Sequence, residues 1–179
     1  FTLSDADAMI AAANLSGVVA QAGYMKAYDP AFELLKSEVS SMVPVRFIQV
    51  NHLHTNNDHH LAHFGLKKFD DGPATINNDR ARDVLKALGG NVPDEVHKAF
   101  FVLAGSMIHD LYGIRLLFGQ PDRIVTTEIW NGGLGITTIL EYRSGARCSA
   151  TWVELSGIKE FVETLEVYSD DRGVKLSYP

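Results

Sequence analysis

The chain has 179 residues, enough for one domain with its own core, and 46% hydrophobic with 21% charged residues is the balance of an ordinary folded protein. Its net charge is -6 with scattered Lys and Arg, which argues against a nucleic-acid partner, since tracking phosphates needs clustered basic residues. No apolar run reaches bilayer length, no charged-then-apolar leader is present, and the single cysteine, Cys148, excludes an internal disulfide; no membrane partner and a cytoplasmic location are therefore expected.

Thr2-Leu3-Ser4-Asp5 reads as a helix start, with Ser4 as cap and Asp5 and Asp7 suited to the positive end of the helix dipole. That helix covers residues 6–13 and stops near Gly17. Residues 18–25 then read as a strand, broken by Tyr28-Asp29-Pro30, and Pro30 suits the first turn of a second helix with Phe32, Leu35 and Val39 on its apolar stripe. Val43-Pro44 ends it, and residues 45–51 form another strand. The stretch 55–92 has poor periodicity and reads as a loop or insertion within the domain, with a short helix near 79–88 stopped by Gly89-Gly90.

Pro93-Asp94-Glu95 opens the clearest helix, in which Phe100, Leu103, Met107, Leu111, Ile114 and Phe118 follow helical spacing until Gly119-Gln120-Pro121. Beyond it the segments 124–130, 136–142, 147–154, 161–167 and 174–176 are strand-like and separated by short turns rich in Gly, Asn, Asp and Ser. Connections this short favour antiparallel neighbours. The expected architecture is a single α+β domain over residues 1–179, an open, mainly antiparallel sheet with helices on one face.

No dinucleotide fingerprint is present: Gly133-Leu134-Gly135 lies between strands and lacks the third glycine. His109 stands out because it lies off the apolar stripe of the long helix, between Gly105 and Gly113. Glycines inside a helix are costly, so something should approach that face closely, either a ligand or a packing neighbour. His52, His54, His59, His60 and His63 form a second cluster. His52 and His54 would share one strand face, and His59 and His63 one helix face. A metal site using Asp58 is one reading; a polar, substrate-facing loop is the reading taken, since the glutamate of the metalloprotease pattern is missing. Lys26, before a turn, is either a solvated charge or part of a cleft. Trp152 and Glu154 share one face of a late strand, where Trp152 is either sheet packing or cleft wall.

Three segments carry a resemblance. Val19-Ala20-Gln21-Ala22-Gly23-Tyr24-Met25-Lys26-Ala27-Tyr28-Asp29-Pro30-Ala31-Phe32 resembles the first sheet strand and turn of the glucose–fructose oxidoreductase / inositol dehydrogenase (Gfo/Idh/MocA) family. Ile108-His109-Asp110-Leu111, continuing to Leu116-Leu117-Phe118-Gly119-Gln120-Pro121, resembles its catalytic helix. Ser144-Gly145-Ala146-Arg147, Leu165-Glu166-Val167-Tyr168 and Gly173-Val174-Lys175-Leu176 resemble its last strands. The resemblance implies the C-terminal, substrate-side domain of an NAD- or NADP-dependent oxidoreductase, with the N-terminal Rossmann domain absent and no cofactor held by this fragment. It implies a sugar-, polyol- or inositol-like substrate, homo-oligomers through the sheet face, His109 as acid/base, and Lys26, Asn51 and His54 as substrate contacts; Trp152 joins them as a candidate contact from its strand face alone. One departure is clear: the family often has an aspartate four residues before the histidine, and here that position is Gly105. That leaves two alternatives beside the enzyme: a non-catalytic ligand-binding or dimerisation module, and a metal-dependent enzyme using the histidine-rich loop.

Overall fold

The computed structural model describes residues 2–55, 61–67 and 74–178, with side chains omitted for 74–80. Helix α1 (Leu3–Ser16) is capped by Thr2, not Ser4: the Thr2 hydroxyl accepts from the Asp5 N–H while the Asp5 carboxylate accepts from the Thr2 N–H, a reciprocal box. It ends on Gly17 at φ 67°, a left-handed conformation that favours glycine. No strand forms at 18–25. Val18 and Val19 are exposed, and the chain enters a 3₁₀ turn at Met25–Tyr28. Asp29 then caps α2 (Pro30–Ser40), which buries Phe32, Leu35 and Val39 as the stripe predicted.

Strand β1 (Val45–His54) is longer than expected, and α3 (Ala74–Ala87) starts earlier than its sequence signal. Helix α4 (Asp94–Val102) leads through a π-helical turn (Leu103–Met107) into α5 (Ile108–Phe118). This 25-residue run is long and apolar enough to cross a bilayer, contrary to the sequence expectation. Here it lies against the sheet, with Met107 and Ile114 in the core and Asp110 buried beside them.

Strands β2 (Arg123–Trp130), β3 (Gly135–Glu141), β4 (Arg147–Glu154), β5 (Val162–Ser169) and β6 (Gly173–Tyr178) complete a six-stranded sheet in the order β2-β3-β4-β1-β5-β6. Only the β1–β4 pair is parallel, so the sheet is mainly antiparallel. The turns after β2, β3 and β5 join neighbours. The short connection after β4 does not, because β1 lies between β4 and β5.

The strand period of two divides the sheet into two faces. Ile48, Val50, Cys148, Ala150, Leu165, Val167 and Leu176 point inward against α2, Met107 and Ile114, forming one core. Cys148 is fully buried, which pushes its thiol up to about 12 and leaves it an inert core group. Phe47, Gln49, Asn51, Thr137, Ile139, Ser149, Thr151 and Tyr168 occupy the opposite face, in register with one another.

Candidate functional site

One row of side chains crosses the inward face where the strands approach the loops. Ile136, Trp152, His52, Glu163 and Tyr178 are consecutive cross-strand partners on β3, β4, β1, β5 and β6. Besides the Tyr178 phenol, two members of this row carry ionisable groups although the face is largely apolar: His52 is 2% exposed and Glu163 is also 2% exposed. A third ionisable group comes from above. Asp110 on α5 follows Met107 by three residues and precedes Ile114 by four, so it shares their inward helical face and is buried.

These groups meet. His52 Nδ1 lies 2.8 Å from Asp110 Oδ2 and 4.0 Å from Glu163 Oε2. The Glu163 carboxyl lies within 4.8 Å of the Asp110 carboxyl and forms an ion pair with the Lys26 ammonium, which also lies 5.0 Å from the Tyr178 ring centroid. Two buried carboxyls this close disfavour each other's ionised form. Burial accordingly pushes Asp110 up to about 6, and burial together with the Asp110 charge raises Glu163. Burial takes His52 down to about 4, so its imidazole is neutral and donates from Nδ1 to Asp110.

The outer end of this chain opens on a pocket lined by Tyr24, Lys26, His109, Tyr112, Glu163 and Tyr178, among others. Its enclosed part holds about 20 Å³, room for one water or one hydroxyl group. His109, half-buried, packs edge-on against Tyr24 at 5.8 Å, and Tyr24 packs on Tyr112 at 4.4 Å. The His109 Nδ1 atom is buried and has no hydrogen-bond partner among the described residues. Burial and then the Lys26 ammonium hold the His109 imidazole below its usual range, while Glu163 opposes them.

The sequence candidates divide accordingly. His109 and Lys26 line one pocket. Asn51 lies on the opposite face of the sheet, because it alternates with the inward His52. Trp152 is 2% exposed and donates its indole N–H to Ser106 Oγ at 2.9 Å, so it is a packing residue under the site. His54 packs against Trp152 with the rings tilted, centroids 5.3 Å apart, and does not line the pocket. Among the described residues, the close approach expected at both glycines occurs at Gly113, where a Cβ would lie 3.4 Å from the Phe32 ring, and none lies within 4 Å at Gly105. Gly105 sits in the π-helical turn and opens on another cavity, beside Thr2, Asp5 and Asp83.

The sequence reading does not single out Asp110, Glu163 or, as a pocket-side residue, His52. Each carries a charge or ring at a position whose periodicity points inward, which is the signal that finds them.

The donor atoms of His52, Asp110 and Glu163 lie within 4.8 Å of one another, a spacing a divalent cation accepts. Lys26 already supplies a cation to Glu163, so this cluster is completed by an ammonium. Of the histidine-rich loop, His59 and His60 lie outside the described residues. The described residues do not fit a dinucleotide phosphate site either. A Cβ on Gly133 would lie 2.4 Å from the Glu95 carbonyl and one on Gly135 would lie 2.6 Å from the Trp130 ring, so these glycines serve packing in a hairpin.

No protein-family model matches the sequence, and no curated protein matches it significantly. Solved structures do match the fold. A dehydrogenase (MviM) from Clostridium difficile has a TM-score of 0.64 at 11% identity, over 98% of this chain and 46% of that one. A protein described as an oxidoreductase from Magnetospirillum magnetotacticum MS-1 has 0.56 at 18% identity, over 98% and 46%. The myo-inositol 2-dehydrogenase of Lactobacillus plantarum has 0.51 at 16% identity, over 87% and 41%. The chain thus spans somewhat under half the length of the solved chains it matches. Its fold is shared with part of each of these three solved chains, and it is the α+β fold that the resemblance to the Gfo/Idh/MocA family implies.

Proposed function

We propose that this chain is the substrate-binding and catalytic half of an NAD(P)-dependent oxidoreductase that acts on a neutral sugar-, polyol- or inositol-like alcohol or ketone. The observation that carries the reading is His109. Its ring faces a pocket with room for one hydroxyl, and its Nδ1 has no partner among the described residues. A neutral imidazole there accepts the hydroxyl proton when the alcohol is oxidised and returns it when the ketone is reduced. The nicotinamide supplies the hydride chemistry, from a part of the protein outside the described residues. Lys26 and the tyrosines orient the substrate. Lys26 is the one cation among the described lining residues and is neutralised by Glu163, which favours an uncharged substrate over a phosphorylated or acidic one.

The test is turnover by the complete protein that carries this chain. Reduced nicotinamide is followed by absorbance against neutral sugars, polyols and inositols, with sugar phosphates as the contrast. Turnover with a neutral compound is expected. Turnover confined to phosphorylated sugars, or none with either cofactor in either direction, refutes the reading.

We also infer self-association through the sheet face turned away from the helices. Phe47 and Tyr168 stack there at 6.1 Å and each is more than one-third exposed, with Ile139, Thr137, Ser149 and Thr151 in adjoining register. Light scattering is expected to give a dimer or larger; a monodisperse monomer at high concentration contradicts it.

A further inference from the structure

The departure at Gly105 removes a carboxylate from the helix that carries His109, and the sheet supplies one in its place. We propose that Glu163 is a positioning residue of this site: from β5 it anchors the Lys26 ammonium at the pocket and gives His109 the carboxylate that position 105 lacks.

This rests on the reading of His109 and Lys26 as the substrate-facing groups, and deepens it. Lysine is a long, flexible side chain that is costly to immobilise. Here three things hold it: the Glu163 carboxylate, the Tyr178 ring at 5.0 Å, and the Phe161 ring at 6.0 Å. Glu163 is itself fixed. Its neighbours across the sheet are His52 and Tyr178, the Asp110 carboxyl lies within 4.8 Å of it from α5, and its side chain is 3% exposed while that of Lys26 is 25% exposed. The four groups therefore run from a closed interior end at His52, through Asp110 and Glu163, to an open end at Lys26.

Stability alone gives no reason for this arrangement. A buried ion pair seldom outperforms the apolar side chains that could replace it, and here a second buried carboxyl is added to the first. A charged group fixed at a pocket mouth does serve binding and proton transfer, where position matters more than net stability. Position 105 cannot do this work. It opens beside Asp5 and Asp83, and a carboxylate there would join an acidic surface away from Tyr24 and His109.

The ionisable groups around His109 are Lys26 from the 3₁₀ turn, Glu163 from β5, Asp110 from its own helix, His52 from β1, and the phenols of Tyr24, Tyr112 and Tyr178. Of these, Lys26 disfavours the imidazolium and Glu163 favours it.

The test follows the His109 imidazole by NMR through a pH titration of the 179-residue protein, with His109→Gln assigning the resonance and circular dichroism checking the fold of each variant. Glu163→Gln is expected to lower the His109 pKa by about half a unit or more, because an anion is lost and an unpaired ammonium remains. Glu163→Asp, which keeps the charge, should restore most of the shift. Lys26→Met should move the same resonance upward. Gly105→Asp should leave it in place. The proposal is overturned if Glu163→Gln leaves the folded protein's His109 titration unmoved, if Glu163→Asp and Glu163→Gln move it equally, or if Gly105→Asp moves it and Glu163→Gln does not. None of these readouts needs turnover. Failure of the oxidoreductase reading would show instead in the activity of the complete protein, with these shifts intact.

Discussion

Replacing His109 by alanine should lower kcat of the complete protein roughly 10²–10⁴-fold, the usual worth of a positioned acid/base, with the melting temperature nearly unchanged. The two halves of this result come from different features. The ring contributes little to the fold: it is half-buried, stands outside the apolar core cluster, and contacts Tyr24 edge-on. Its buried Nδ1 has no partner among the described residues, so truncation strands no polar group of theirs. Turnover is expected to depend on it because it is the one histidine among the described residues that line the pocket. A packing histidine would give the reverse, a clear fall in melting temperature with kcat retained.

The pH profile adds a sign. Burial and Lys26 hold the His109 imidazole below its ordinary value near 6.5. Alcohol oxidation needs the neutral ring, so kcat/KM in that direction should rise with pH through a value under 6.5 and then level off. Ketone reduction needs the protonated ring and should fall across the same limb. His109→Ala should remove that limb in both directions, and a limb that survives the substitution would assign the acid/base to another group.

Much of the fold was legible because it is periodic. The strand alternation of Ile48, Val50 and His52, and of Glu163, Leu165 and Val167, fixes an inward face without any tertiary information. The same alternation already placed Asn51 on the other face from His52, so two candidates drawn from one strand could not both serve one pocket. The spacing of Met107, Asp110 and Ile114 likewise marked an inward carboxylate beside the more conspicuous His109. What could not be read was whatever depends on neighbours. Val18 and Val19 have strand-like side chains, but Ala20, Gln21, Ala22 and Gly23 follow them, and no described strand pairs with the segment. The π-helical turn leaves the apolar spacing of the long helix intact while it carries Gly105 away from the His109 pocket, so no count of residues along the chain reveals it. The Lys26–Glu163 contact joins residues 137 apart in sequence, brought together by the order in which the strands assemble.

The buried His52–Asp110 pair should be nearly silent in the pH dependence of stability until one partner is removed, and the two single variants should then slope in opposite directions. For His52 the folded value, about 4, lies below the ordinary 6.5, so its contribution is present above 6.5 and lost as pH falls towards 4. For Asp110 the folded value, about 6, lies above the ordinary 3.8, so its contribution is present below 3.8 and lost as pH rises through 6. The windows overlap. On acidification the unfolded chain takes its first proton on histidine and its second on aspartate; the folded chain takes them in the reverse order at nearly the same two pH values, and the proton counts stay close. Asp110→Asn leaves the burial of His52 in place, so that variant should lose stability between about pH 6.5 and about pH 4, on the order of 3 kcal/mol. His52→Gln leaves the burial of Asp110 in place, so that variant should lose a similar amount, on the order of 3 kcal/mol, as pH rises from about 4 to about 7. Urea midpoints for both variants at the two ends of this range make the comparison, since exposed carboxylates such as Asp5 and Glu141 contribute equally to each and cancel in the difference. Slopes of the same sign in both variants would mean that the two groups are not a buried hydrogen-bonded pair, and the chain from His52 to Lys26 would lose its interior end.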